Sequence, residues 1–259
     1  MLFRSLVPNT LDFGVDLPGP AADLQTVLPL QAIHIAARLG HWVAENAKTT
    51  RAFLKRVDPL VALHQPLQTL SIVELPRAQK GQKQQTISTA AVEASIDALL
   101  APALQGSDMG LISEAGLPAV ADPGASLVEA AHRLGITVVP LSGPSALMMA
   151  LSASGLNGQS FAFVGYLPVE SAQRIHRLRE LEALSKRHQQ TQIMIETPYR
   201  NQALLAALLS NLSPNCRLSI SCGLTLPDGW SQTRRVSEWK RQRVNVPNDT
   251  PAVFVLLAD

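Results

Sequence analysis

Cysteine is scarce and badly placed for a staple or a metal. Cys216 and Cys222 are the only two in 259 residues. Two thiols on one short stretch make neither a disulfide framework nor a zinc site. Both are expected as reduced core residues of a cytoplasmic protein, and no metal is expected. No apolar run reaches the roughly 18–20 residues that a membrane span needs. The opening MLFRSLVPNT lacks the apolar stretch and small-residue cleavage site of a secretory signal, so no membrane partner is expected. G-x-G-x-x-G and Walker sequences are missing, which removes the common nucleotide-phosphate cradles. No repeat of fixed short period is visible. The net charge is only +2, which permits a nucleic-acid substrate without arguing for one.

What is present is a large apolar fraction, 46%, enough for the core of one or two domains. Strand-like and helix-like stretches alternate, which predicts an α/β fold with mostly parallel sheets. Strands are expected at Phe3–Val7, His41–Ala44, Val61–Leu63, Ser71–Leu75, Met109–Ser113 and Ile136–Pro140. Apolar residues recur at helical spacing over Leu24–Leu39, closed by Gly40, and a helix capped by Thr49 is expected to run to Val57. Further helices are expected at Ala90–Leu100 and Ala125–Leu134, and one with Gly143–Pro144 as its start running to Gly155. The boundary is placed near Leu141, giving an N-terminal α/β domain over 1–140 and a C-terminal one over 141–259. The second half reads as strand Phe161–Tyr166, basic helix Glu170–Arg187, strand Gln192–Glu196, helix Asn201–Leu212 and strand Arg217–Cys222. Thr233–Trp239 and Ala252–Ala258 are expected to pair at the sheet edge. Gly14, Pro18, Gly19 and Pro20 mark a loop, and Arg77–Thr86, with three cations and four Gln, reads as a surface loop.

The loop after the Met109 strand stands apart. Leu111–Gly124, LISEAGLPAVADPG, contains Gly116, Pro118, Pro123 and Gly124. Few simple connections use so much glycine and proline. A stiff loop at the carboxyl end of a strand is where open α/β sheets place a ligand. Leu141–Ala146, LSGPSA, echoes it.

These residues also carry a resemblance. Ile112–Gly124 resembles the V-S-D-A-G-x-P-x-I-S-D-P-G loop of the tetrapyrrole-methylase-like methyltransferases, which use S-adenosylmethionine. Ser142–Ala146 is similar to their P-G-P-[SC]-A turn and Phe163–Pro168 (FVGYLP) to F-x-G-[FY]-L-P. Val43–Arg51 (VAENAKTTR) and Glu196–Arg200 (ETPYR) match A-E-D-T-R and E-[SA]-P-H-R. The order and spacing hold over about Leu6–Leu257, and the branch most resembled methylates a ribose 2′-oxygen of small-subunit ribosomal RNA. Two departures stand out: VPNTLDFG keeps Pro8 but puts Asn9 and Thr10 where glycine is expected, and Asn46 and Glu114 replace aspartates.

The resemblance implies two α/β domains with the cofactor in the interdomain cleft. It places Pro8, Ala115, Gly116, Leu117, Val120, Ser145, Ala146, Gly223, Pro251 and Ala252 around S-adenosyl-L-methionine. It implies a homodimer and an RNA acceptor. An acceptor hydroxyl must lose a proton, so Glu45, Glu114 and Glu196 are candidate bases, with Arg51 and Arg200 as anion holders. The basic runs Arg174–Arg179, Lys186–His188 and Arg234–Arg243 favour a phosphate backbone over a porphyrinoid. The alternatives left open are a methyltransferase on a tetrapyrrole or other small molecule, and a non-enzymatic cofactor-binding paralogue.

Overall fold

The computed structural model describes residues 4–12, 23–76, 89–242 and 244–259. The loop expected around Gly14–Pro20 and the one at Arg77–Thr86 lie outside them. The chain divides into two compact units, Met1–Pro144 and Ser145–Asp259, rather than after Pro140.

The first unit contains β1 (Arg4–Leu6), α1 (Leu24–Val27), α2 (Leu30–Arg38), β2 (His41–Ala44), α3 (Ala47–Val57) and β3 (Ser71–Glu74). After these come α4 (Thr89–Leu99), α5 (Ala101–Leu104), β4 (Met109–Ile112), α6 (Ala125–Arg133) and β5 (Val138–Pro140). The strands pair in the order β3-β2-β4-β1-β5, and every pairing is parallel, as expected. Two apolar layers cover the sheet. One packs α2 and α3 onto Trp42, Ala44 and Ile112, and the other packs α4 and α6 onto Val43, Met109 and Leu111. Trp42 is fully buried, and its indole N–H donates to Leu39 O at 3.1 Å, so no polar group is stranded.

Local expectations need three corrections here. Leu24–Leu39 is two helices, because Pro29 lacks an N–H and ends the first; α2 then closes at Leu39 rather than Gly40. Val61–Leu63 is not a strand. The cap of α3 is Asn46, not Thr49: its side chain accepts from the Lys48 and Thr49 N–H groups. Asn and Asp cap equally well, so this departure from the family pattern keeps the local structure.

The second unit runs α7 (Ala146–Ser154), β6 (Phe161–Tyr166), α8 (Ser171–His188), β7 (Thr191–Ile195), α9 (Asn201–Asn211), β8 (Arg217–Cys222), β9 (Trp230–Arg235), α10 (Val236–Trp239) and β10 (Ala252–Leu257). Its sheet has the order β6-β7-β10-β8-β9. Only β6 and β7 are parallel neighbours; the pairings of β10 with β7 and β8, and of β8 with β9, are antiparallel. The expectation of a mostly parallel second sheet is therefore wrong. So is the edge placement of Ala252–Ala258: β10 is central and every residue of it is buried. The edge on that side is β9. Helix α7 starts two residues later than expected, with Ser145 as N-cap accepting from the Met148 N–H, and ends in left-handed Gly155.

Trp239 is the counterpart of Trp42, fully buried, its N–H donating to Leu218 O at 2.8 Å. Cys216 and Cys222 are free and buried in the same core. Burial pushes the Cys216 thiol up to about 12 and raises Cys222 as well, so neither is a ready nucleophile.

Candidate functional site

In the first unit the parallel order puts the carboxyl ends of β1, β2 and β4 side by side. Pro8, Glu45 and the loop after Ile112 therefore meet at one sheet edge. The loop is conformationally costly. Gly116 has φ +66°, and the non-glycine residues Ala119 and Ala121 also lie in the left-handed region, at 64° and 65°. Each such residue costs roughly 1–2 kcal/mol, and strain of this kind concentrates at functional sites.

Asn9 holds the loop in place. It is 2% exposed, and its side-chain N–H groups donate to Ser113 O at 3.1 Å and Glu114 O at 3.0 Å. The Asn9 main-chain N–H donates to Gly116 O at 2.9 Å, and Gly116 N–H returns a bond to Thr10 O at 3.3 Å. Thr10 donates its hydroxyl to Asp12, which is in turn gripped by Arg56 through paired bonds of 3.0 and 3.3 Å. The two residues that depart from the family pattern thus form a buried polar brace for the loop. Pro8 completes it: a Cβ on Gly143 would lie 2.1 Å from the Pro8 Cβ, so that contact requires glycine.

Three carboxylates converge on this loop. Glu45 Oε2 accepts from the Glu114 N–H at 3.0 Å. Burial, and then the charges of Glu45 and Glu114, push the Asp122 carboxyl up to about 7. Asp122 was not singled out from the sequence, although it lies inside the matched motif as the Asp of ADPG. The signal was present. Its environment, which only folding assembles, was not. Arg51 is exposed on α3 and its guanidinium bonds back to Ala47 O at 3.3 Å.

In the second unit β6, β7 and β8 run in one direction and β9 and β10 in the other. The carboxyl ends of β7 and β8 and the start of β10 share an edge, which brings Glu196, Arg200, Gly223, Pro251 and Ala252 together. Cys222 pairs with Ala252, and Gly223 N–H donates to Pro251 O at 3.0 Å. Glu196 Oε1 accepts from the Thr197 N–H at 2.9 Å, while Oε2 lies 3.0 Å from Arg200 Nη2, close enough for an ion pair but off the hydrogen-bond direction. Glu196 is a structural anchor of its turn more than an open base. Ser145 and Ala146 open α7.

A polar ligand fits the first-unit site on one observation in particular. Ser113 Oγ is buried at the carboxyl end of β4 with no hydrogen-bond partner among the described residues, an orphan that a bound polar group would satisfy.

Residues 26–236 match the family described as Tetrapyrrole (Corrin/Porphyrin) Methylases, and the chain belongs to it. Among curated relatives, the ribosomal RNA small subunit methyltransferase I of Mesorhizobium japonicum is 42% identical over 127 residues, 49% of this chain and 42% of that protein. The protein of the same name from Xylella fastidiosa is 32% identical over 177 residues, 67% of this chain and 55% of its own. The chain thus spans about half the length of the relatives it matches. Of solved structures, the methyltransferase CobJ superposes with a TM-score of 0.55 at 14% identity, over 99% of this chain and 93% of that one. That likeness establishes the α/β fold. Among the described residues, no helix is long and apolar enough to cross a membrane.

Proposed function

We propose that this chain is an S-adenosyl-L-methionine-dependent methyltransferase that acts on a ribose 2′-oxygen of small-subunit ribosomal RNA. The observation that carries the reading is the braced, strained loop Ser113–Gly124, which contains Asp122, in a chain of this family. The bound cofactor would supply an electrophilic methyl group on a sulfonium. The protein has to hold donor and acceptor in line and exclude water. Pro8, Ala115, Gly116, Leu117, Val120, Ser145, Ala146, Gly223, Pro251 and Ala252 are the residues this reading assigns to the cofactor. Loop carbonyls suit the sulfonium, and the Ser113 hydroxyl suits a polar edge of the ligand.

A 2′-hydroxyl gives up its proton as the methyl arrives. Asp122 titrates near neutrality and is the best-matched acceptor for it, ahead of Glu45 and Glu196, whose oxygens already hold backbone groups. Arg51 and Arg200 would grip backbone phosphates. A homodimer and a cytoplasmic setting belong to the same reading.

The test is transfer of labelled methyl from the cofactor to small-subunit ribosomal RNA. Label that protects the adjoining phosphodiester from alkaline cleavage is 2′-O-methyl. Label on a tetrapyrrole but not on RNA would select the small-molecule alternative, and cofactor binding without transfer to either would select the non-enzymatic one.

A further inference from the structure

The stretch that leads into β10 has no regular structure to hold it. Residues 244–251 form neither helix nor strand, and Pro247 and Pro251 lack the N–H donors that other residues would bring. Main-chain carbonyls in such a stretch still need donors wherever water is excluded. The donors come from the start of α9. Asn201 is fully buried, and its Nδ2 donates to Pro247 O at 3.1 Å and to Thr250 O at 2.9 Å. Gln202 donates from Nε2 to Asn245 Oδ1 at 2.7 Å and to Val246 O at 3.2 Å. The ETPYR turn is what delivers Asn201 to this place. Pro198 opens a one-turn helix, in which Arg200 N–H donates to Thr197 O at 2.9 Å and Asn201 N–H donates to Pro198 O.

What Asn201 holds lies directly against Gly223. Thr250 O is fixed by Asn201, Pro251 O accepts from Gly223 N–H at 3.0 Å, and Ala252 pairs with Cys222. Gly223 is left-handed, at φ +63°, and a Cβ on it would meet the Thr250 methyl at 3.2 Å. Gly223 and Pro251–Ala252 are therefore one hydrogen-bonded assembly, and Asn201 is the buried side chain that ties it to α9. The amide has a cost as well. Its Oδ1 is buried with no hydrogen-bond partner among the described residues. An apolar side chain of the same shape would avoid that cost, so what suits asparagine to this position is its pair of donors.

We infer that Asn201 is a positioning residue for the cofactor, acting through Thr250 and Pro251 to set Gly223, Pro251 and Ala252 in one fixed arrangement before the ligand arrives. The inference rests on the cofactor assignment above and adds the residue that preorganises this part of it. A binding segment already held in place loses less freedom on binding, and that saving appears as affinity. The inference also gives the ETPYR motif a second task, since its turn aims the Asn201 amide as well as holding Arg200.

The test uses the whole chain, calorimetric titration with S-adenosyl-L-methionine, and hydrogen exchange of the Gly223 amide followed by NMR. N201L keeps the side-chain shape and removes both donors. It should weaken cofactor binding by roughly 5- to 100-fold, the range for two neutral hydrogen bonds. The Gly223 amide should exchange faster by a similar factor. Under turnover, KM for the cofactor should rise while kcat at saturating cofactor stays within about twofold. Q202A releases only Asn245 and Val246, farther along the chain from Thr250, and should leave every one of these readouts within about twofold of wild type. If N201L does not fold, N201A carries the same expectations. Wild-type affinity in the folded variant would overturn the inference, as would unchanged exchange at Gly223. So would a Q202A as weak as N201L, which would make the order of the whole segment, and not Asn201, the cause. A wild type that binds no cofactor would sink the cofactor assignment on its own, and the exchange arm would still decide whether Asn201 holds Gly223.

Discussion

The first unit carries ten Lys and Arg against twelve Asp and Glu, a net −2, while the second carries twelve against eight, a net +4. The first has a wholly parallel sheet and concentrates its oddities in one loop: left-handed alanines, a buried polar brace and a carboxyl that titrates near neutrality. The second has a mixed sheet, left-handed non-glycines of its own at Gln189 and Thr225, and an outward display of arginine and tyrosine. Under the proposed function the difference reads as a division of roles. The parallel unit offers the rigid, acidic, desolvated surroundings that proton transfer needs. The mixed unit offers the cationic and aromatic surface that a polyanion needs. A chain with a net charge near zero hides this asymmetry completely.

The largest expected effect asks whether the two units are separate cooperative bodies. Trp42→Ala and Trp239→Ala should each cost about 3–5 kcal/mol, the usual range for a buried tryptophan. If the units unfold independently, calorimetry should show each variant lowering a different transition. A single transition shifted equally by both would show one cooperative body and weaken the comparison.

Next come the glycines of the first-unit site. Gly116→Val places a β-branched residue at φ +66°, and Gly143→Ala drives a methyl into Pro8. Either should cut cofactor affinity at least about tenfold, overpacking alone being worth roughly 1–3 kcal/mol. Calorimetric titration of the folded variants checks this, and unchanged affinity would remove the loop from the cofactor site.

Arg51→Ala and Arg200→Ala should lower kcat/KM for RNA by about 1–3 kcal/mol in transition-state terms while sparing cofactor affinity. The structure separates the two. Arg200 is paired with Glu196 and Arg51 only with its own helix, so Arg200→Ala should also loosen its turn, which proteolysis rates would reveal.

Asp122 gives an effect on stability with a definite sign. Its carboxyl titrates at about 7 when folded against 3.8 as a free group, so folding favours its neutral form. The cost is absent below pH ~4, grows as pH rises, and levels off once pH passes about 7. Asp122→Asn should therefore stabilise the protein above pH 7 by ~1–3 kcal/mol, reduced by the part of the group open to water, and not at all near pH 4. Urea midpoints across that pH range decide it. The same variant should lose methyl transfer. Least of all, Asn46→Asp should change stability by less than about 0.5 kcal/mol, because both residues cap α3.

Much of this was legible in the sequence. The strand at His41–Ala44, those at Phe161–Tyr166 and Arg217–Cys222, and the parallel first sheet followed from periodicity and from glycine and proline punctuation. The motif loop announced itself by composition. What failed was non-local. AVFVLL is a continuous apolar run, which marks a strand buried on both faces, but only the partners β7 and β8 fix its direction and centrality. Pro29 should have divided the Leu24–Leu39 helix, since proline lacks the donor an unbroken helix needs. Asp122 was in view as a letter of a motif. Its shifted titration comes first from burial and then from the charges of Glu45, far away in sequence, and Glu114, and no one-dimensional pattern displays that. Asn9 looked like a defect because a glycine was expected there; in three dimensions its amide braces the loop that glycine would leave free.

The position of β10 has a consequence for biosynthesis. β7 and β8 are hydrogen-bonded to β10 and not to each other, so the second sheet cannot close until residues 252–257 have left the ribosome. Domains form as they emerge, at about 5–20 residues per second, so the second unit waits roughly 3 to 12 s with its half-sheets unjoined while about 60 residues are added after β7. During that interval the inner edges of β7 and β8 are unpaired strands open to any other chain. The nascent second unit is thus the part of this molecule most in need of a chaperone, and the first unit can be complete before that need begins.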